Sequence, residues 1–168
     1  LIKENGWTAV SIRAVASRCS VSAGTIYNYY ESKADLLGDT IESIWREIFF
    51  NPEDEQVFKD VAACISWIYK RLEYGNEQFP GFFSLHSLGF MKDEKMDGKK
   101  KMLQTWGHIL NGLCDILKND PKIRPDVFDE QFTEKQFADI LFSLILVSMI
   151  RQDYNPSSIL MLINKTLY

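Results

Sequence analysis

An all-α fold is what this sequence predicts, and three observations support the prediction. Apolar residues recur at spacings of three and four, no stretch sustains the alternation expected of a β-strand, and Ser, Pro and Gly stand at the ends of the periodic segments. With 168 residues, 46% of them hydrophobic, the chain can bury a core without disulfides or a metal. The three cysteines, Cys19, Cys64 and Cys114, are odd in number and far apart, so we expect thiols in a reducing, cytoplasmic compartment.

Short helices are expected at the N-terminal end. Residues 1–6 are typical of a helix end, with Gly6 as a left-handed C-cap. Serines precede the next three segments and are the expected N-caps: Ser11, Ser22 and Ser32. The helix after Ser22 is expected to reach Tyr30, and the helix after Ser32 to stop before Asn51-Pro52. Because Leu1 is neither an initiator Met nor the start of a signal peptide, we expect the chain to begin inside a longer one.

Longer helices are expected in the rest of the chain. An apolar stripe from Val57 to Leu72 predicts a helix that begins near Glu53. The later predictions are a short broken helix over 82–88, a helix starting in the charged run 92–101, and two final helices over 134–152 and 156–167. The longest strongly apolar stretch, residues 137–150, is too short to span a membrane. We expect two domains, residues 1–48 and residues 49–168.

Charge is distributed unevenly along the chain. The net charge is -4, but residues 1–33 contain four basic and two acidic residues and so carry +2, which leaves -6 for residues 34–168. We therefore expect any nucleic-acid contact to lie at the N-terminal end.

The spacing of the short helices predicts a helix-turn-helix, in which the second helix of the pair enters the DNA major groove. Here that helix starts with small residues, which let the backbone approach DNA closely: Ser22, Ala23, Gly24 and Thr25. Tyr27, Asn28 and Tyr29 add hydrogen-bonding groups, and Lys33 lies at a helix N-terminus that favours a phosphate. The alternative is that the tyrosines are half-buried packing residues and that Lys33 is only solvated.

Three segments carry a resemblance to a known family. They are Gly6-Trp7, Ser11-Ile12-Arg13-Ala14-Val15-Ala16, and residues 21–37, which read Val-Ser-Ala-Gly-Thr-Ile-Tyr-Asn-Tyr-Tyr-Glu-Ser-Lys-Ala-Asp-Leu-Leu. Over residues 1–48 the chain resembles the DNA-binding signature of the TetR family of bacterial transcriptional repressors. It departs from the family at Cys19-Ser20, where Ala-Gly is usual. By comparison with the family, we expect most of the first helix to lie before Leu1.

The resemblance implies roles for individual residues. Ser11 and Lys33 would bind phosphates, and Arg13 would reach a base edge, most often guanine. Thr25, Tyr27 and Tyr29 would fix the recognition helix on the DNA backbone. Ala23 and Asn28 occupy positions that vary with the operator sequence.

The resemblance also implies a ligand cavity enclosed by the C-terminal helices. The predicted lining is Trp67, Phe82, Phe83, His86, Phe90, Trp106 and Leu110. Because these side chains are mainly rings and aliphatic chains, we expect a largely apolar effector, aromatic or cationic and of drug or lipid-fragment size. Each of these residues singly is also typical of ordinary core packing.

The last two predicted helices are candidates for a subunit interface. The helix over 134–152 has apolar residues around its whole circumference, which indicates burial on both sides. We expect a two-fold four-helix interface that includes Leu144, Val147, Ile159 and Ile163.

Catalytic motifs are missing from the sequence. Neither His86 nor His108 lies three or four residues from another His or a Cys, and there is no nucleophile elbow or glycine-rich phosphate loop. We expect no cofactor and no catalysis. The sequence is therefore interpreted as a homodimeric repressor of a palindromic DNA operator, released by a small apolar effector that shifts the helix over 32–50. The alternatives are an α-helical binding protein or enzyme with a vestigial DNA-binding region, and a helical interaction adaptor.

Overall fold

The computed structural model describes residues 1–49, 58–83 and 96–168 and, for Trp7 and residues 96–106, the backbone alone. Within these residues every regular element is helical, which confirms the predicted all-α class. The elements are α1 (Ile2–Asn5), a short 3-10 helix (Trp7–Ala9), α2 (Ile12–Arg18), α3 (Ala23–Tyr27), α4 (Lys33–Phe49), α5 (Val61–Gln78), α6 (Met96–Asn119), α7 (Glu134–Arg151) and α8 (Ser157–Thr166).

Side-chain caps begin the N-terminal helices as predicted. The hydroxyl oxygens of Ser11, Ser22 and Ser32 accept hydrogen bonds from the backbone N–H groups three residues later, at 3.1, 3.1 and 3.2 Å. α3, however, ends at Tyr27 and does not reach Tyr30. The N–H groups of Asn28 and Tyr29 bond over three residues, to the Thr25 and Ile26 carbonyls. The Tyr30 N–H donates to the same Ile26 carbonyl, so the chain leaves the helix in a turn.

α5 starts later than the apolar stripe predicts. Residues 58–60 are not helical, and Asp60 is the N-cap, with its Oδ1 accepting from the Ala63 N–H at 2.7 Å. The prediction of a helix running from Glu53 through Val57 into this segment is therefore wrong at residues 58–60, because the Asp60 carboxylate satisfies the backbone at that point. Glu53 and Val57 themselves lie outside the described residues.

The later helices match their predicted ends within two residues. α7 begins with a capping box between Thr133 and Gln136 and ends at Arg151, with Gln152 as a C-cap in a left-handed conformation. A short helix was expected over 82–88. Its first two residues, Phe82 and Phe83, lie in a turn, and residues 84–88 lie outside the described part of the chain. None of the described helices is long and apolar enough to cross a bilayer.

Two hydrophobic cores hold the helices together. The small core consists of Ile12, Ala16, Ile26 and Leu36. The large core contains the buried residues of α5 to α8 together with Ile2, Val10, Leu37, Ile44 and Ile48 from the N-terminal region. Adjacent residues of α4, Leu36 and Leu37, thus belong to different cores. α4 is the element that joins the α2–α3 pair to the rest of the chain.

The described cysteines are all free thiols. Cys19 is exposed at the end of α2, Cys114 is half-buried, and Cys64 lies in the large core. Burial raises the pKa of the Cys64 thiol to about 12.

Candidate nucleic-acid interface

α2 and α3 present their polar faces to solvent because their apolar residues lie in the small core. Arg13 of α2 is exposed, and so are Gly24, Tyr27 and Asn28 at α3. Spacings of three and four place the latter three on one side of the helix. The local sequence therefore directs these four residues away from the core. Of the other predicted DNA contacts, Ala23 packs against the small core, and Ser11 and Thr25 are partly buried.

The turn between the two helices adopts a glycine-like conformation at Ser20, with φ at 57°. The Val21 N–H donates to the Ala16 carbonyl at 2.9 Å and the Ser20 N–H to the Ser17 carbonyl at 3.2 Å, the pattern of a Schellman C-cap. A non-glycine residue in this region costs about 1–2 kcal/mol. The turn therefore forms without the glycine that is usual in the family, but with backbone strain at Ser20.

The residues at the start of α3 are small, and we ask whether packing inside the protein requires this. Ser22 Oγ accepts from the Thr25 N–H and shares a second hydrogen bond with Thr25 Oγ1 at 3.0 Å. A Cβ built on Gly24 would have Ser22 Oγ as its nearest described neighbour, at 3.6 Å, which is an ordinary contact. Internal packing thus does not require glycine at this position, and its small size is available for a close approach from outside.

The tyrosines next to α3 differ from one another in burial. Tyr27 is 55% exposed and Tyr29 is 79% exposed, whereas Tyr30 packs against the small core. The packing role considered for these rings therefore falls to Tyr30. Tyr27 and Tyr29 present their hydroxyl groups to solvent.

Ion pairing distinguishes the basic residues of the N-terminal region. Three of the five pair with carboxylates: Lys3 with Glu47 at 2.6 Å, Arg18 with Glu4 at 2.5 Å and Arg46 with Glu42 at 3.0 Å. Arg13 and Lys33 form no ion pair with any residue that the structure describes. Both are exposed, so neither has to leave a carboxylate to meet a phosphate or a base.

Comparison with known proteins agrees with this geometry. The family model of the bacterial regulatory proteins, tetR family, matches residues 1–40, which include α1 to α3 and the first half of α4. The N-terminal region carries the TetR-family helix-turn-helix signature. No curated protein and no solved structure matches the chain significantly. The TetR match supports a DNA-binding transcriptional regulator, in a family whose members are typically regulatory and not enzymatic.

Beyond the TetR signature, aromatic rings connect α4 to the C-terminal region. We call this group the aromatic cluster: Trp45, Phe49, Phe58, Trp67, Phe82, Phe83 and Tyr154. Ring centroids are 5.6 Å apart for Trp45 and Phe83 and 5.8 Å for Phe49 and Trp67. Three predicted effector residues thus join one cluster, and the sequence analysis missed the α4 rings because their helical spacing is also that of ordinary core.

The other predicted effector residues are not brought into this cluster by described contacts. Leu110 is half-buried against the large core. His86, Phe90 and the side chain of Trp106 lie outside the described part of the chain. Of the predicted effector residues, the described contacts therefore place Trp67, Phe82 and Phe83 in the aromatic cluster.

Two buried polar atoms border the aromatic cluster. Trp67 Nε1 and the Tyr154 hydroxyl have no hydrogen-bond partner among the described residues. Burial raises the pKa of Tyr154 to about 12. A buried donor without a partner costs about 1–3 kcal/mol.

A separate open groove of about 480 Å³ lies between α1, α2, α4 and the end of α5. Its lining includes Ile2, Val15, Ile44 and Phe79 and none of the predicted effector residues. The groove and the aromatic cluster share no residue, but Phe79 of the groove lies 6.4 Å from Phe82 of the cluster, measured between ring centroids.

The residues predicted for a subunit interface occupy two different environments. Leu144 and Val147 are exposed on α7, 36% and 44% respectively. Ile159 and Ile163 lie in the large core, with Ile163 fully buried. Further exposed apolar residues accompany the first pair: Ile140, Ile150, Met161 and Leu162. Exposed apolar residues thus lie on α7 and on α8, and Ile159 and Ile163 are not among them, because they face the large core.

Proposed function

We propose that the protein is a cytoplasmic, ligand-responsive TetR-type repressor that binds a palindromic DNA operator as a homodimer and is released by a small apolar effector. In this proposal residues 1–48 bind DNA and residues 49–168 bind the effector and form the dimer. The observation that supports the proposal is which basic side chains of the N-terminal region form ion pairs. Arg13 and Lys33, the two predicted DNA contacts, are the basic residues of the described N-terminal region that form no ion pair with described residues.

The operator contacts divide into positioning and reading roles. Lys33 and the hydroxyl of Ser11 bind phosphates, while Arg13 reads a base edge. The Ser11 oxygen accepts from the Ala14 N–H at 3.1 Å, which leaves the hydroxyl hydrogen for a phosphate. Thr25, Tyr27 and Tyr29 hold α3 on the DNA backbone. Ser22, Ala23, Gly24 and Asn28 set how closely α3 approaches the bases.

The exposed apolar residues of α7, which recur at spacings of three and four, support the dimer: Ile140, Leu144, Val147 and Ile150. Side chains such as Leu144 and Val147 leave water when a second copy covers them. A contiguous exposed apolar patch is typical of a protein interface, and a two-fold axis pairs the same face with itself. Such a dimer presents two α3 helices to two operator half-sites.

The aromatic cluster supports the effector response. Its rings are apolar, and the Trp67 and Tyr154 donors offer hydrogen bonds to an acceptor on the effector. Trp45 and Phe49 belong to α4, so a molecule that separates the rings displaces α4 and with it the small core. The preferred effector is therefore an apolar molecule with at least one acceptor oxygen or nitrogen.

A selection experiment tests the proposal. The full chain selects duplexes from a random-sequence library, and fluorescence anisotropy then measures its affinity for the selected and for random DNA. We expect a two-fold symmetric sequence bound about 10³-fold or more tightly than random DNA. Failure to enrich any sequence contradicts the proposal.

Effector action is tested by linkage. Apolar aromatic and cationic compounds are titrated into the chain with and without the selected duplex. A true inducer binds less tightly to the DNA complex, by the same factor by which it weakens DNA binding. A compound that binds the cluster equally well in both states contradicts the release mechanism.

A further inference from the structure

The exposed side of α7 is apolar in the middle and charged at both ends. Four apolar residues recur on it at spacings of three and four: Ile140, Leu144, Val147 and Ile150. Asp139 comes directly before the first of them and Arg151 directly after the last, and both are exposed. Neither forms an ion pair with any residue that the structure describes. The two ends of this side therefore carry opposite charges.

The two charges belong to one row of side chains. Residues four positions apart lie above one another on the surface of a helix. One such row on α7 consists of exposed residues alone: Asp139, Ser143, Val147 and Arg151. It extends over twelve residues, which is about 18 Å of a straight helix. Its acidic end lies near the start of α7 and its basic end is the last residue of the helix.

Charge favours one of the two orientations in which a second copy can cover this row. In a parallel pair, Asp139 lies level with the partner subunit's Asp139, and like charges meet at both ends, which is unfavourable. In an antiparallel pair with the two-fold axis at the level of Ile145, Asp139 lies level with the partner subunit's Arg151. Opposite charges then meet at both ends, so the row is complementary to a reversed copy of itself.

The geometry of helix packing allows the charged ends to approach each other. Rows of residues spaced by four are inclined to the helix axis, and two helices that interlock such rows cross at about −50°. At this angle the rows of the two copies run alongside each other. The acidic end of one row therefore lies beside the basic end of the other.

The charges beyond the two ends agree with the antiparallel arrangement. Lys135 lies one turn before Asp139, Asp153 lies two residues after Arg151, and both are exposed. Along the chain the four charges are positive, negative, positive and negative. The reversed order has the opposite sign at each place, so Lys135 also comes near an opposite charge, the partner subunit's Asp153.

We propose that the chain dimerises through antiparallel α7 helices, held in register by two ion pairs that each join Asp139 to the partner subunit's Arg151. The inference rests on the proposed homodimer and adds its orientation, its register and its selectivity. The apolar side chains supply the contact area. The ion pairs disfavour a parallel pair and also a foreign chain that exposes a similar apolar helix with other charges. The partner that fits this surface is therefore a second copy of the same chain.

Exchange of the charges tests the register. Asp139→Arg brings two basic side chains together at each end of the dimer, and Arg151→Asp brings two acidic ones together. We expect each variant alone to dimerise about tenfold more weakly than the wild type, because close charge pairs at interfaces are strongly coupled. A mixture of the two variants forms a heterodimer in which every pair is again of opposite sign. Its Kd, measured by energy transfer between labelled chains, is expected within about threefold of the wild-type value.

A double variant and two controls exclude a general loss of stability. Asp139→Arg/Arg151→Asp restores both pairs with reversed polarity, so it is expected to dimerise with itself but to mix poorly with the wild type. The controls are equal charge changes at exposed positions of α6, Asp115→Arg and Lys118→Asp, and both are expected to dimerise like the wild type. Circular dichroism establishes that the variants are folded. The differences in Kd are expected to shrink at high salt.

The outcomes separate this inference from the proposed function. A wild-type chain that stays monomeric at micromolar concentration overturns the proposed homodimer, and the surface then belongs to another partner. A wild-type dimer that neither single variant weakens overturns the ion pairs alone. If Asp139→Arg binds the wild type more tightly than the wild type binds itself, the helices run parallel, and the antiparallel register is overturned.

Discussion

The α2–α3 pair and the C-terminal region are stabilised by cores of very different size. Among the described residues the small core has four buried side chains, whereas the large core has twenty-five. One of the four, Leu36, comes from α4, so the small core is complete only when α4 is in place. The α2–α3 pair thus depends for its core on α4, which is itself packed into the large core.

The two regions also expose different chemistry. Around α3 the exposed large side chains are mainly tyrosines, Tyr27 and Tyr29, while α7 and α8 expose aliphatic ones such as Leu144 and Val147. Polar rings suit DNA, and aliphatic side chains suit a second protein surface. We therefore expect DNA to bind at one end of the chain and a second copy to bind at the other.

The largest effect of a substitution is expected at the exposed apolar residues of α7. Leu144→Glu places a charge in a desolvated interface without a partner, at a cost of about 3–5 kcal/mol. We expect the variant to sediment as a monomer at micromolar concentration where the wild type is a dimer. Asn111→Glu, at an exposed position of α6, is the control and is expected to remain dimeric. A monomeric wild type contradicts the assignment of this face.

The next largest effect is a loss of stability that should differ between the two cores. Leu141→Ala and Ile26→Ala each create a cavity that costs about 2–5 kcal/mol, in the large and the small core respectively. Leu141→Ala is expected to lower the main melting transition seen by circular dichroism. Ile26→Ala is expected to leave that transition nearly unchanged but to reduce DNA binding. The same shift of the main transition in both variants shows that the cores unfold as one.

A smaller effect distinguishes the two unpaired cations. Arg13→Ala is expected to cost about 1–3 kcal/mol on the selected operator and to relax base preference at one position. Lys33→Ala is expected to weaken binding to operator and random DNA alike and to lower the salt slope by about one. Anisotropy titrations over a series of salt concentrations measure both. Identical behaviour of the two variants refutes the division between reading and positioning.

The smallest effect lies in the C-terminal region and depends on pH. The hydrogen bond from Lys122, at 2.6 Å, and that from the Ala63 N–H lower the pKa of Asp60 below its ordinary value of 3.8. A lowered folded-state pKa contributes stability that is present above the unfolded value and is lost as pH falls through the folded value. We expect Asp60→Asn to remove this part of the acid dependence in urea titrations. An unchanged acid profile contradicts a stabilising role for this pair.

Much of the N-terminal region could be predicted because its signals are local. The caps at Ser11, Ser22 and Ser32 join atoms three residues apart, so the sequence alone contains both partners. Asp60 is a cap of the same kind. It was not predicted because the apolar stripe of the sequence continues on both sides of it. The strained turn at Ser20 was likewise visible, as the place where a glycine was missing.

The sequence by itself determined the helical class, most helix ends and the TetR-type signature, because these depend on hydrogen bonds and side-chain types within a few residues. Only the tertiary structure decided which apolar residues face outward: Ile163 is buried whereas Leu144 is exposed, although both fit an interface by spacing. The pair of Lys3 with Glu47 spans 44 positions in sequence, and the hydrogen bond from Arg71 to the Ile48 carbonyl spans 23. Such contacts arise from the packing of whole helices, and periodicity along one helix cannot specify which neighbour covers it.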